Sequence, residues 1–168
     1  IGAADEVVPM ILKGGGIKNT LIISPPGAGK TTMLRDIVRQ LSYKSYRVSV
    51  VDERSEIAAL CEGRSAFDLG FSTDVLEGVD KAEGMLMVLR SMSPDVIVTD
   101  EIGKQSDIDA IERITNSGAA VIATIHGRNI DMIKRRDDLK RMLKFFDLII
   151  TLSKRKGIGT VEEALTEW

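Results

Sequence analysis

The sequence predicts an α/β fold, a mostly parallel sheet of five core strands with helices on both faces. Three observations predict it. Short apolar runs alternate with longer runs of helical spacing, the pattern of strand–helix–strand units. The short runs are apolar almost throughout, as expected of strands covered on both sides. The 168 residues, 43% hydrophobic and 29% charged, suit one domain with one core, residues 1–168.

Each element follows in order. Thr20–Ser24 is an apolar run between Gly14–Gly16 and Pro25-Pro26, and predicts a buried strand. Thr31–Tyr43 places Met33, Leu34, Ile37, Val38 and Leu41 at helical spacing. Arg47–Asp52 is the second strand. Glu53–Asp80 is polar and irregular, and is expected to form loops over an active-site edge. Lys81–Ser93 is helical through Met85, Leu86, Val88, Leu89 and Met92, with Pro94 as its stop. Met85, Met87 and Met92 are expected to fill core space. Val96–Thr99 is the third strand. Ser106–Ser117 is a helix closed by Gly118. Ala119–Ile125 is the fourth strand, Asp131–Phe146 a helix and Leu148–Leu152 the fifth strand. Gly157-Ile158-Gly159 marks a turn, and Thr160–Leu165 is a last edge strand or short helix.

Composition excludes several classes. A net charge of −2 gives no electrostatic reason to bind nucleic acid. The single cysteine, Cys61, allows neither an intrachain disulfide nor a cysteine zinc cluster, and fits a reducing cytosol. No apolar run reaches 18 residues, so no spanning helix is expected. No charged-then-apolar leader is visible. The chain begins at Ile1 rather than Met, and Ile1–Ala4 reads as the interior of a longer protein, so the chain is expected to be a fragment lacking an amino-terminal domain.

The strongest motif is Ser24-Pro25-Pro26-Gly27-Ala28-Gly29-Lys30-Thr31, between a strand and a helix. That is the context of a Walker A phosphate-binding loop, or P-loop. Gly27 and Gly29 let the backbone curl so that amides from Pro26–Thr32 face phosphate oxygens. The helix beginning near Lys30 adds its positive end. Lys30 supplies a point charge for the outer phosphates. Thr31 offers a hydroxyl to Mg²⁺, and Thr32 one to an inner phosphate. The motif's usual first glycine is Ser24 here, which fits if that position needs no positive φ. ATP and Mg²⁺ are the expected ligands.

Val96–Thr99 runs into Asp100-Glu101. At the carboxyl end of a parallel strand, these acids face the ligand crevice. Asp100 is expected to hold Mg²⁺ through water, and Glu101 to orient and deprotonate an attacking water. Asp52-Glu53-Arg54 repeats the theme on the second strand. Either acid could supplement that site, or the segment could be a solvated turn with a local Glu–Arg pair. His126, the only histidine, ends Ala123-Thr124-Ile125-His126. If this strand lies beside the phosphate-loop strand, Thr124 or His126 could sense the γ-phosphate. Among arginines that could stabilise transferred phosphate, Arg64 and Arg90 rank above Arg113, Arg128, Arg135 and Arg136. Lys134–Arg141 is expected to be a solvated helix face laced with ion pairs.

These segments carry a family resemblance. Leu89–Ile102 resembles the Walker B region of type II and type IV secretion ATPases. Gly118–His126 resembles their histidine box, and Val50–Ile57 their aspartate box. The combination of Ser24–Thr32, Val51–Ile57, Asp74–Asp100, Ala123–Gly127 and Ser153–Glu162 is more similar still to the stage III sporulation protein AA family. The resemblance implies a RecA-like (ASCE) P-loop ATPase that assembles into a ring, a hexamer. It implies a partner complex in the membrane between mother cell and forespore, powered from the mother-cell cytoplasm by a peripheral enzyme. Lys30 and Thr31 would serve phosphate and Mg²⁺, Asp100 Mg²⁺ and Glu101 the water. Glu53 and His126 match the box positions and would assist at the γ-phosphate. Gly103-Lys104 stands where secretion ATPases usually carry an arginine. Their amino-terminal domain, which supplies arginines to the neighbouring subunit's site, is not in this chain. Slow hydrolysis and a monomeric state are therefore expected of the fragment alone.

Other functions are also open. A small-molecule kinase would share the loop but exclude water, and Glu101 argues for water. A guanine-nucleotide switch lacks its Asn-Lys-x-Asp signature. A nucleic-acid motor would rest on the basic stripe from Lys134 to Lys144, against only 4% aromatic residues for base stacking.

Overall fold

The computed structural model describes residues 2–168; Ile1, the start of the segment that suggested a longer chain, lies outside the described residues. The described residues form nine strands, most of the long ones separated by helices. In chain order they are α1 (Val7–Ile11), β1 (Thr20–Ser24), α2 (Lys30–Tyr43), β2 (Val48–Asp52), β3 (Leu60–Cys61), β4 (Arg64–Ser65), β5 (Thr73–Glu77) and α3 (Lys81–Ser91). They continue with β6 (Val96–Thr99), α4 (Gln105–Asn116), β7 (Ala120–His126), α5 (Ile130–Lys134), α6 (Asp137–Lys140), a 3₁₀ turn (Arg141–Phe145), β8 (Leu148–Ser153) and β9 (Thr160–Leu165).

The main sheet has the order β5-β2-β6-β7-β1-β8-β9. Every pairing in it is parallel except β8 with β9. The five expected strands form its centre, and β5 and β9 extend it to seven. Side chains alternate across the sheet. Ile22, Val50, Val98, Ile122 and Ile150 pack under α1 and α2. Leu21, Ile23, Val51, Ile97, Val121 and Ile149 pack under α3, α4, α5 and α6. Covering both faces is what makes the central strands apolar at most positions.

Four expectations need correction. Glu53–Asp80 is not only loop, because it holds the β3–β4 hairpin and β5, which pairs with β2. The sequence Thr73–Glu77 (TDVLE) is only half-buried at the sheet edge, so polar residues sit at strand positions without cost. The helix expected over Asp131–Phe146 is broken into α5, α6 and the 3₁₀ turn. Ile130 and Ile133 are buried. Helical spacing would next bring Arg136 and Asp137 to that buried face. Arg136 instead goes extended, at φ −103° and ψ 113°, which reorients the chain so that Leu139, Met142 and Leu143 bury. The basic stripe from Lys134 to Lys144 is therefore not one helix face, and within it Arg136 pairs with Asp138 at 2.7 Å. Of the three methionines expected in the core, Met85 is buried, whereas Met87 and Met92 are 46% and 44% exposed.

Candidate active site

All the parallel strands end at one edge, so Ser24, Asp52, Thr99 and His126 bring their following segments together there. The glycine loop leaves β1 at Ser24. Gly27 and Gly29 lie at φ 68° and 88°, in the left-handed region that a Cβ penalises. Ser24 keeps strand backbone with no positive φ, so the serine fits where glycine is usual. Ala28 is buried, while Pro26, Gly27 and Thr32 are exposed and Gly29, Lys30 and Thr31 half-buried. Lys30, Thr31 and Thr32 open α2, where backbone N–H groups have no carbonyl within the helix to reach.

Strand β7 lies between β1 and β6, so the acids after β6 face the loop across one intervening strand. Glu101 has φ 41°, a left-handed backbone that costs a non-glycine residue about 1–2 kcal/mol. Its neighbours hold it there. Glu101 N donates to Thr124 Oγ1 at 2.8 Å, Ile102 N donates to Thr124 O at 2.8 Å, and Lys81 Nζ donates to Glu101 O at 3.1 Å. The twist aims the Glu101 side chain at the loop. Lys30 Nζ donates to Oε1 at 3.0 Å, and Arg54 pairs with the other carboxylate oxygen. The Lys30 hydrogen bond, helped by the charge of Arg54 and outweighing burial, holds this carboxyl below the ordinary glutamate range.

Asp100 is only 2% exposed, and neither of its carboxylate oxygens is hydrogen-bonded. Lys81 Nζ is 3.4 Å from Oδ1, near enough to neutralise charge but not aligned as a hydrogen bond. A buried carboxylate without hydrogen bonds is costly and rare, and points to an absent ligand. Hard oxygen donors from Asp100 and the nearby α2 terminus, where Thr31 sits, fit Mg²⁺. That ion keeps several waters and takes one or two protein oxygens together with phosphates. Among the described residues no cluster of three or more His, Cys, Asp or Glu could hold a metal alone.

The aspartate-box acids separate. Asp52 is fully buried and accepts the N–H groups of Glu56, Ile57 and Ala58 at 2.8–2.9 Å, so it shapes the following loop. Glu53 lies 3.7 Å from Lys81 and 3.9 Å from Lys104. It thus adjoins Asp100 through Lys81 rather than touching the glycine loop. The local Glu–Arg pair considered above is not formed, because Arg54 reaches Glu101 instead. His126 pairs in register with Ser24 and is exposed. Of the two sensor candidates it is the buried Thr124 that contacts Glu101. Arg64 and Arg90 are exposed, and the arginine at the site is Arg54, which sequence reasoning did not rank. Lys81 was also missed. Its signal was its place on the apolar stripe of α3, one turn before Met85 and two before Val88, where a lysine needs a buried partner.

The structure superposes on the Legionella pneumophila ATPase DotB with a TM-score of 0.63 at 21% identity, over 88% of this chain and 43% of that one. For the pilus retraction motor PilT, solved with bound ADP, the TM-score is 0.64 at 20% identity, over 88% and 45%. The fold is that of RecA-like secretion and pilus ATPases. The chain belongs to the family described as sporulation stage III, protein AA, whose model matches residues 1–167. Stage III sporulation protein AA of Bacillus subtilis (strain 168) is 41% identical over 170 residues, 97% of this chain and 55% of that protein. The chain therefore spans little more than half the length of that relative.

Proposed function

We propose that this chain is the motor domain of an Mg²⁺-dependent ATPase that converts ATP and water to ADP and phosphate. One observation carries the reading: a buried Asp100 without hydrogen bonds stands beside a left-handed Glu101 that is aimed at a glycine loop. Pro26–Thr32 would wrap the phosphates with backbone amides, and Lys30 would neutralise the outer ones. Thr31 and Asp100 would hold Mg²⁺, which would supply charge neutralisation for the departing phosphate. Lys30 and Arg54 hold the Glu101 carboxyl below its ordinary range, which weakens it as a base while they are paired with it. Lys30 and Arg54 engage both of its oxygens. An entering triphosphate would draw these cations away and free Glu101 for water. Glu53 and His126 would assist at the γ-phosphate.

Family membership and the secretion-ATPase fold support a wider reading. Full-length subunits would form a ring, a hexamer, whose closing and opening drives a sporulation complex in the membrane from the mother-cell cytoplasm. No helix among the described residues is long and apolar enough to cross a membrane.

Phosphate release by the full-length protein tests the chemistry. Glu101→Gln should retain Mg·ATP binding and lose turnover by about 10²–10⁴-fold, whereas Lys30→Ala should lose binding. Unchanged turnover in both variants would overturn the proposal. The mass of the full-length protein should rise to that of a ring when Mg·ATP is added.

A further inference from the structure

The turn between β8 and β9, Lys154–Gly159, folds back onto the glycine loop. Gly159 N donates to Ala28 O at 3.1 Å. Ile158 sits against Gly29, its Cγ2 2.8 Å from where a Cβ would stand. Lys154 Nζ lies 2.9 Å from the corresponding point on Gly27, at the loop's exposed surface. The turn is internally fixed. Gly157 N donates to Lys154 O at 3.2 Å, and Thr160 Oγ1 donates to Gly157 O at 2.7 Å. Ser153 Oγ donates to Glu162 at 2.6 Å and accepts from Arg155 N at 3.0 Å.

The three cations of this turn have different surroundings. Arg155 lies 3.8 Å from the Glu162 carboxylate. Lys156 is exposed, with no carboxylate partner and no contact with Gly27 or Gly29 among the described residues. Lys154 has no carboxylate partner among the described residues, and its ammonium rests on a loop built to face anions. A cation held without a counter-charge beside phosphate-directed amides is complementary to a polyphosphate.

We propose that Lys154 is a second phosphate-binding lysine, supplied to the glycine loop by the β8–β9 turn and contacting the diphosphate end of the bound nucleotide opposite Lys30. This rests on the nucleotide reading above. It assigns a role to Ser153–Glu162, a segment that the loop and carboxylates leave without one. The turn also covers one side of the loop.

Titration of the full-length protein with a fluorescent ATP analogue and Mg²⁺ tests it, using Lys154→Ala, Lys154→Arg, Lys156→Ala and Lys30→Ala. Lys156→Ala removes the same charge from the same turn and controls for the general field. Lys154→Ala should bind about tenfold more weakly than Lys156→Ala, the loss of one charge-assisted contact, and Lys154→Arg should restore most of that. Equal affinity in Lys154→Ala and Lys156→Ala overturns the proposal, and loss of binding in Lys30→Ala alone then leaves the nucleotide reading standing. Absence of binding by the unaltered protein overturns both.

Discussion

At Lys81 a buried ammonium lies 3.4 Å from Asp100, 3.7 Å from Glu53 and 3.1 Å from the Glu101 carbonyl. It is 4% exposed, so its charge is compensated by these groups rather than by water. Replacing it with methionine keeps the stem's packing but strands Asp100 as an uncompensated buried charge. Lys81→Met should cost about 3–5 kcal/mol in urea unfolding, and adding Asp100→Asn should recover much of it. A loss no larger than that of an exposed lysine would show that Asp100 is solvated or protonated. Glu101 and Asp100 were legible from sequence because an apolar strand ending in two acids is a local pattern. Arg54 was not, because its pairing with Glu101 joins the ends of two different strands.

Helix α3 shows how one residue sets the distance between element and sheet. Asp80 caps it, accepting from Ala82 N and Glu83 N, and Lys81 follows at the first turn. At Gly84 an added Cβ would stand 2.7 Å from Val51 Cγ1 on the sheet and 3.5 Å from Leu76. Two effects compete in Gly84→Ala. Helix propensity favours alanine by about 1 kcal/mol. Overpacking against a buried β2 residue costs about 1–3 kcal/mol and shifts the helix that carries Lys81. The variant should be destabilised on balance, and Val51→Ala in the same chain should relieve it; denaturant midpoints measure both. Continuous apolar runs bounded by turn residues were placed from sequence, β1 and β6 among them. Strand β5 was missed because an edge strand needs no continuous apolar run, and the α5–α6 break because tertiary burial overrode helical continuity.

Across the whole molecule, carboxylates tie distant segments together. Burial pushes the Asp36 carboxyl upward, but hydrogen bonds from Ala4 N, Arg39 and Gln40 outweigh it, and the net direction is down. A hydrogen bond from Arg47 holds Asp95 down, joining the starts of β2 and β6. Glu101 is held down by Lys30. A carboxyl depressed in the folded state contributes stability above its unfolded pKa, and that contribution is lost as the pH falls through the folded value. The urea midpoint should therefore hold near neutrality and fall as acid is added below the ordinary carboxylate range of about 4. In Asp36→Asn the fall should be shallower. A midpoint unchanged by acid would mean that these ties contribute nothing.

The sequence alone determined the alternation of strands and helices, the glycine loop with its lysine, and the two acids that follow β6. Each is written in residues a few positions apart, where periodicity and backbone freedom act locally. The tertiary structure decided the order of strands, the left-handed Glu101 braced on Thr124, the buried Lys81 and the Lys154 turn laid over Gly27. Those depend on which strand ends become neighbours, which is set by packing two helical layers onto one sheet and not by any local run of residues.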